Sequence, residues 1–276
     1  MSSPTSTGAR SMPVSIQPLE VSDIPDCARL SAAAFARDPH TLVKQLGQQP
    51  FDMFDITRSG LEENLKRDNF LCVKAVDNQG IIVGHANWVF SGGGQKRASS
   101  RGTGSRGIGD SESAVAGEED NKATELGKPQ APANAAEDVR DPIERLHALE
   151  DADMQYWLQN IVPADTPCIL VVGLAVSPSH ERRGIGTALL SHGNTIADER
   201  GLSIWVHSSH QAYNAYIKAG FETRRELRIE LDDYAPRPPR DGELTMAALA
   251  GRDEDGRWGR YVIRYMERKT GGNRGN

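Results

Sequence analysis

Cysteine is scarce in this chain of 276 residues, and the little there is cannot build a framework. Cys27, Cys72 and Cys168 lie far apart with no C-x-x-C spacing. An odd, scattered set of this kind suits a reducing compartment and gives neither a disulfide scaffold nor a zinc site, so no metal is expected. Long apolar runs are missing too. The longest, CILVVGLAV (Cys168–Val176), falls well short of the ~20 residues that a membrane span needs. The opening MSSPTSTGARSMPVS lacks the apolar core of a secretion signal. An excess of positive charge is also absent: 32 Lys and Arg against 38 Asp and Glu leave a net charge of −6. That balance speaks against nucleic acid or an anionic membrane as a partner. The expectation is a soluble cytoplasmic protein, with the nucleus also open to it, acting as a monomer or homodimer.

Ordered and unordered stretches alternate along the chain. Residues 1–13 are rich in Ser, Thr, Gly and Pro, and with the tail 271–276 they read as disordered. SIQPLE reads as a short strand, and Val21–Arg37 as a helix with Ile24, Cys27, Leu30, Ala34 and Phe35 on its apolar stripe. A second helix is expected over Ile56–Arg67. NFLCVKAV (Asn69–Val76) and IIVGHANWVF (Ile81–Phe90) read as strands joined by the turn DNQG. From 91 to 135 large apolar residues almost vanish, and a basic block precedes an acidic one. Such a stretch cannot bury enough surface to offset its ordering entropy, which predicts a disordered insertion. Helical spacing resumes over Ala136–Asn160. The apolar run ending in Ser-Pro reads as a central strand, followed by a helix from Gly184 to Gly201 and the alternating strand LSIWVHSS. HQAYNAYIKAGF reads as a short helix, and RELRIEL and GRYVIRYM as two last strands. The fold expected over 14–270 is α/β (α+β), a single mixed, mostly antiparallel sheet with helices on its faces.

The tetrapeptide RGIG occurs twice, in SRGIGD (Ser105–Asp110) and in ERRGIGTALL (Glu181–Leu190). Anion binding at such a loop needs a strand before it and a helix behind it, so that converging N–H groups are held at the helix's positive end. The first copy has neither, and its G-x-G-x-x-G match (Gly102, Gly104, Gly107) is composition in a Gly/Ser-rich tract. The second follows a buried strand and opens an amphipathic helix, so the amides from Arg182 to Thr187 form a candidate nest. A tight turn with glycines for packing alone is the competing reading. No Lys-Ser/Thr follows the glycines, which excludes a P-loop, and the spacing fails for a dinucleotide fold.

LAVSPSHERRGIGTALL followed by AYIKAGF resembles the GNAT superfamily of acyl-CoA-dependent N-acetyltransferases, and among them fungal-type members. The signature of that family is [QR]-x-x-G-x-[GA] after a central strand, with Y-x-[KR]-x-G-F one strand and one helix later. The match is strongest over Cys168–Phe221 and implies a sheet of six or seven strands with acetyl-CoA as acyl donor. The resemblance implies that Leu174, Ala175 and Val176 lie along the pantetheine arm, and that Glu181, Arg182, Arg183, Gly184, Ile185, Gly186 and Thr187 surround the pyrophosphate. It places Ser209 near the pantetheine or adenosine, and Tyr216 near the coenzyme sulfur as general acid. Glu181 departs from the family's Gln or Arg, which puts a side-chain contact from that position in doubt.

Acetyl transfer needs a neutral amine, a polarised carbonyl and a protonated leaving thiolate. A backbone N–H at Leu174–Val176 is the oxyanion donor that the family implies. Tyr216 competes with a reading as a packed helix tyrosine, and Tyr213 is a second tyrosine within reach of the role. CILVVGLAV holds no acidic residue to act as base. His207 has a suitable ordinary pKa, with His85 as a weaker candidate. For the acceptor the resemblance points to Phe35, Asp38 and His40, with Trp88 and Tyr234 as walls. The expected activity is acetyl transfer to a primary amine of a small molecule. A protein lysine or N-terminal amine, or a non-catalytic acyl-CoA-binding regulatory module, stand as alternatives.

Overall fold

The computed structural model describes residues 13–49, 51–92, 141–252 and 256–271. The expected disordered segments at 1–13, 91–135 and 271–276 lie almost wholly outside the described residues. So does the first RGIG.

Each alternating or apolar run becomes a strand. β1 (Ser15–Pro18), β2 (Phe70–Val76), β3 (Ile82–Ser91), β4 (Cys168–Val176), β5 (Ser203–Ser208), β6 (Glu222–Glu230) and β7 (Arg260–Arg268) form one sheet in the order β1-β2-β3-β4-β5-β7-β6. Only β4 and β5 pair in parallel, so the mixed, mostly antiparallel sheet expected from the sequence is the one that forms. Among the described residues seven α-helices flank it: α1 (Ile24–Phe35), α2 (Pro39–Lys44), α3 (Met53–Asn64), α4 (Pro142–Asn160), α5 (Ile185–Arg200), α6 (Tyr213–Lys218) and α7 (Met246–Leu249). None of the described helices is long and apolar enough to cross a membrane. α3 starts ahead of expectation because Asp52 caps it, accepting from the Phe54 and Asp55 N–H groups. α2 is an addition to the expected elements. Asp38 caps it through the Thr41 N–H at 3.0 Å, and Pro39 sits in its first turn.

Strand parity sorts the core into two layers. On one face Ile169, Val171, Ile204 and Val206 meet Ile185 and Leu189 of α5 and Tyr216 of α6. On the other, Leu170, Trp205, Tyr261, Ile263 and Tyr265 meet Ile143, Leu146 and Trp157 of α4 and Val43 of α2. Trp88 of β3 belongs to the α5 layer and is 1% exposed. A Cβ on Gly193 of α5 would stand 2.6 Å from its indole, so the glycine is what lets the helix settle on the ring. Trp88 is therefore core beneath α5 rather than the acceptor wall expected from the resemblance.

His85 points to the opposite face of β3. It is 2% exposed, with Nε2 2.8 Å from Ser31 Oγ on α1. Burial pushes its imidazole down to about 4 from 6.5. The ring is therefore neutral over the working pH range and sealed from substrate.

Two predictions concern stability. Gly193→Ala should destabilise by about 1–3 kcal/mol through overpacking against Trp88. Gly60→Ala in α3, where nothing lies within 4 Å of the added methyl, should stabilise by about 0.5–1 kcal/mol. Urea unfolding of both variants checks the opposite signs. For His85, the unfolded chain takes up a proton below about pH 6.5 that the native ring refuses until about pH 4. Stability is therefore lost as pH falls through that window and is unaffected above it. At about 1.4 kcal/mol per pH unit the loss reaches about 3 kcal/mol. His85→Gln should flatten the slope of unfolding free energy between pH 6.5 and 4; an unchanged slope would contradict the assignment.

Candidate active site

β4 and β5 pair from Cys168↔Ser203 to Val171↔Val206 and no further. Against β3, the register of β4 jumps from Trp88↔Val171 to Asn87↔Gly173, so Val172 is one residue too many for its partner. A bulge of this kind bends its strand and sharpens the twist, and here it turns β4 away from β5. The strands part as a fork. Along 172–176 β4 keeps β3 on one side and, among the described residues, has no strand partner on the other. An extended chain of suitable chemistry can pair with such an edge as an added strand.

The second RGIG closes the end of this edge. Arg182 has φ 58° and Gly184 φ 85°, both left-handed, so the loop turns tightly and gathers its N–H groups. The first intrahelical bond of α5 runs from the Ala188 N–H to the Gly184 oxygen at 2.9 Å. The amides of Ile185, Gly186 and Thr187 precede it and point out of the helix's positive end. Glu181 through Gly184, and Thr187, are exposed, while Ile185 anchors the turn in the core. The two glycines differ in cause. Gly184 is required by its φ. Gly186 is required by neither backbone nor packing, since an added Cβ would meet only Val176 Cγ2 at 3.7 Å. A glycine with no internal reason leaves the surface open to close approach from outside.

Tyr216 packs in the layer that holds Val171 and Val206, the last paired residues of the fork, with its ring edge-on to Phe221 at 5.1 Å. It is 4% exposed, and burial raises its phenol above the ordinary tyrosine value. Tyr213 lies half-buried with Arg264 over its ring at 4.1 Å, so its role is packing and charge contact. Ser209 Oγ accepts from the Ala212 N–H at 3.4 Å and thereby shapes the turn into α6.

On the opposite face a polar cluster gathers at the fork. His207 is the first residue of β5 beyond the last parallel pair, its ring 5.2 Å from that of Tyr265. The recess around it is crowded although its surface is only half-buried, and burial holds its imidazole at about 4. That lowering makes His207 a weaker base near neutrality. His40 on α2 stacks on Tyr261 at 4.7 Å and hydrogen-bonds through Nε2 to Glu150 of α4. Lys44, 3% exposed, donates to the other Glu150 oxygen at 2.8 Å. Burial alone would raise the Glu150 carboxyl, but His40 and Lys44 outweigh it and hold it well below the usual carboxylate range. Asp153 completes the group, bonded to Tyr265 and Arg225.

The start of α2 is tied to the end of β5. Gln211 Nε2 donates to Asp38 Oδ1 at 3.3 Å, and the His210 N–H donates to Tyr261 Oη at 3.2 Å. The structure thus assembles Asp38, His40 and His207 on one side of the fork. Phe35 stands half-buried at the end of α1, and Tyr234 half-buried under Arg145 at 5.5 Å. Trp88 is separated from all of these by the sheet. Glu150, Lys44, Asp153 and Tyr261 were not expected. Among their sequence signals, only the Asp-Pro start of α2 pointed to that helix.

Residues 148–223, from α4 through β4, the glycine loop, α5, β5 and α6 into β6, match the family model described as acetyltransferase (GNAT) domain. Over 116 residues, 40% of the chain, the sequence is 34% identical to the mycothiol acetyltransferase of Mycolicibacterium vanbaalenii, and it spans only 37% of that relative's length. The fold is similar to that of arylalkylamine N-acetyltransferase 2 from Aedes aegypti, with a TM-score of 0.53 at 14% identity, covering 93% of this chain and 98% of that one. β4, β5 and the loop that closes the fork between them all lie within the segment that matches the acetyltransferase (GNAT) domain model.

Proposed function

We propose that the chain is an acetyl-CoA-dependent N-acetyltransferase acting on a primary amine of a small molecule. The observation that carries this reading is the unpartnered β4 edge at 172–176 leading into a loop whose Gly186 has no structural cause. The edge takes the amide-bearing pantetheine as an added strand through the backbone of Leu174 to Val176. The amides at the head of α5, with the charge of Arg182 and Arg183, take the pyrophosphate. Glu181 lies exposed at the loop's rim and opposes rather than assists an anion. When bound, the thioester supplies an acyl carbon open to attack and a thiol as leaving group.

The residues of the chain divide the remaining work. A β4 backbone N–H on the free edge is placed to donate to the carbonyl oxygen as charge builds there. Tyr216 stays protonated because burial raises it, and it donates a hydrogen bond to the departing sulfur. The rings of His40, His207, His210, Tyr261 and Tyr265 make a compact, mostly aromatic surround on the far side. Such a surround suits a small amine better than an extended peptide.

Gly186→Asp tests coenzyme binding cleanly. An acidic residue in the first turn of a helix favours the fold, so lost affinity reflects repulsion of the phosphates. Calorimetry should show acetyl-CoA binding weakened at least about tenfold, about 1.4 kcal/mol, with the unfolding midpoint unchanged. Unchanged affinity would remove the pyrophosphate assignment. Tyr216→Phe should lower kcat about tenfold or more while leaving acetyl-CoA affinity within about twofold. A screen of small amines, amino acids and lysine peptides that reads released thiol decides the acceptor, and transfer confined to peptides would refute the small-molecule reading.

A further inference from the structure

His40, His85, His207 and His210 lie at the fork or on the strand beside β4, and the acceptor amine must lose a proton to one of the groups around it. Burial lowers His210, whose ring packs 5.7 Å from that of Tyr261. His85 is sealed beneath α1. His207 is held neutral down to about pH 4 by its crowded recess. Glu150 has both carboxylate oxygens engaged, one by His40 and one by Lys44 at 2.8 Å, and these contacts hold its carboxyl well below the usual range, which makes it a weak base. His40 remains. Its Nε2 is taken by Glu150, its side chain keeps 13% of its surface open, and its Nδ1 has no hydrogen-bond partner among the described residues. The ring is fixed from three sides. Tyr261 stacks on it, Glu150 orients it, and α2 is clamped to the end of β5 by the Asp38–Gln211 bond.

We propose that His40 is the general base of the transfer reaction, with Glu150 as the residue that positions it. The Glu150 contact fixes the tautomer with the proton on Nε2, which leaves the Nδ1 lone pair for the amine proton. As the amine nitrogen bonds to the acyl carbon, the carbon–sulfur bond breaks with its electron pair leaving on sulfur as a thiolate that takes up a proton from water beside Tyr216, and one amine proton passes to Nδ1. The resulting imidazolium already touches a carboxylate, and it returns its proton to water once the amide leaves. Lys44 keeps Glu150 ionised and in place whether or not His40 carries the extra charge. The groups facing His40 are Lys44 from its own helix, Glu150 and His147 from α4, Tyr261 from β7 and His207 from β5.

This inference rests on the acetyltransferase reading, and the test separates the two. His40→Ala leaves Glu150 paired with Lys44, so the variant should fold; His40→Gln, which keeps a polar contact with Glu150, provides a second variant. The expected result is a fall in kcat of about a hundredfold or more in both, with acetyl-CoA affinity unchanged by calorimetry. Added imidazole should restore much of the rate to His40→Ala and none to His40→Gln, whose side chain fills the space. A folded, acetyl-CoA-binding variant that keeps kcat within about threefold overturns the inference, as does a loss that imidazole leaves untouched. Wild-type protein that acetylates no amine in the screen would instead remove the reading beneath it.

Discussion

One extra residue in one strand governs the geometry of the whole site. Val172 has no opposite number on β3, and the bend it introduces ends the pairing of β4 with β5 at Val171↔Val206. Without the bulge the two strands would continue side by side, and the backbone groups of 172–176 would be consumed in a sheet ladder. With it, those groups stay available without a buried-polar penalty, because the fork is open to water or a ligand. Gly173 follows the bulge and leaves room for the Asn87 side chain, which a Cβ there would meet at 3.1 Å. The α5 loop then stands at the tip of the free edge because β4 runs straight on into it.

The fork also separates two kinds of chemistry by strand parity. Side chains on the α5 face are apolar and closely packed, and Tyr216 is a buried phenol among them. Those on the α4 face include a cluster of charges taken largely out of water. Burying Glu150 and Lys44 costs several kcal/mol for each ion, and that cost is offset only if every charge is matched. Here it is matched: Lys44 and His40 Nε2 serve the two carboxylate oxygens, and Lys44 also lies 4.5 Å over the Phe51 ring. A cluster so constrained has few alternative arrangements, which makes it a rigid mount for the His40 ring.

Elements whose faces follow a simple period were legible in the sequence. All seven strands and the long helices carry alternation or helical spacing, and the loop after β4 carried its own flanking evidence. α2 escaped because its buried positions include Thr41 and Lys44, polar residues that break an apolar stripe. Glu150 escaped for a related reason. Within HALEDAD it looks like any charge on a solvated helix face, and its partners lie 106 and 110 residues away in the chain. Trp88 was misplaced because alternation shows that β3 has two faces without showing which helix covers each. Ser209 Oγ accepts from the Ala212 N–H and shapes the turn into α6.

Burial, rather than residue type, decides what each imidazole near the sheet can do. Three of them share an ordinary value near 6.5, and sequence alone ranks them by position on a strand or loop. On that ranking His207 leads, since it stands on the strand that borders the fork. Yet the recess that brings it there also strips its hydration and holds it neutral down to about pH 4. His85 meets the same fate more completely. His40 arrives on a helix the sequence did not announce, keeps part of its ring open, and is matched with a carboxylate that Lys44 helps hold ionised. A group that must gain a proton and then lose it in each cycle needs both an open nitrogen and a nearby negative charge. Of these three histidines, His40 has both.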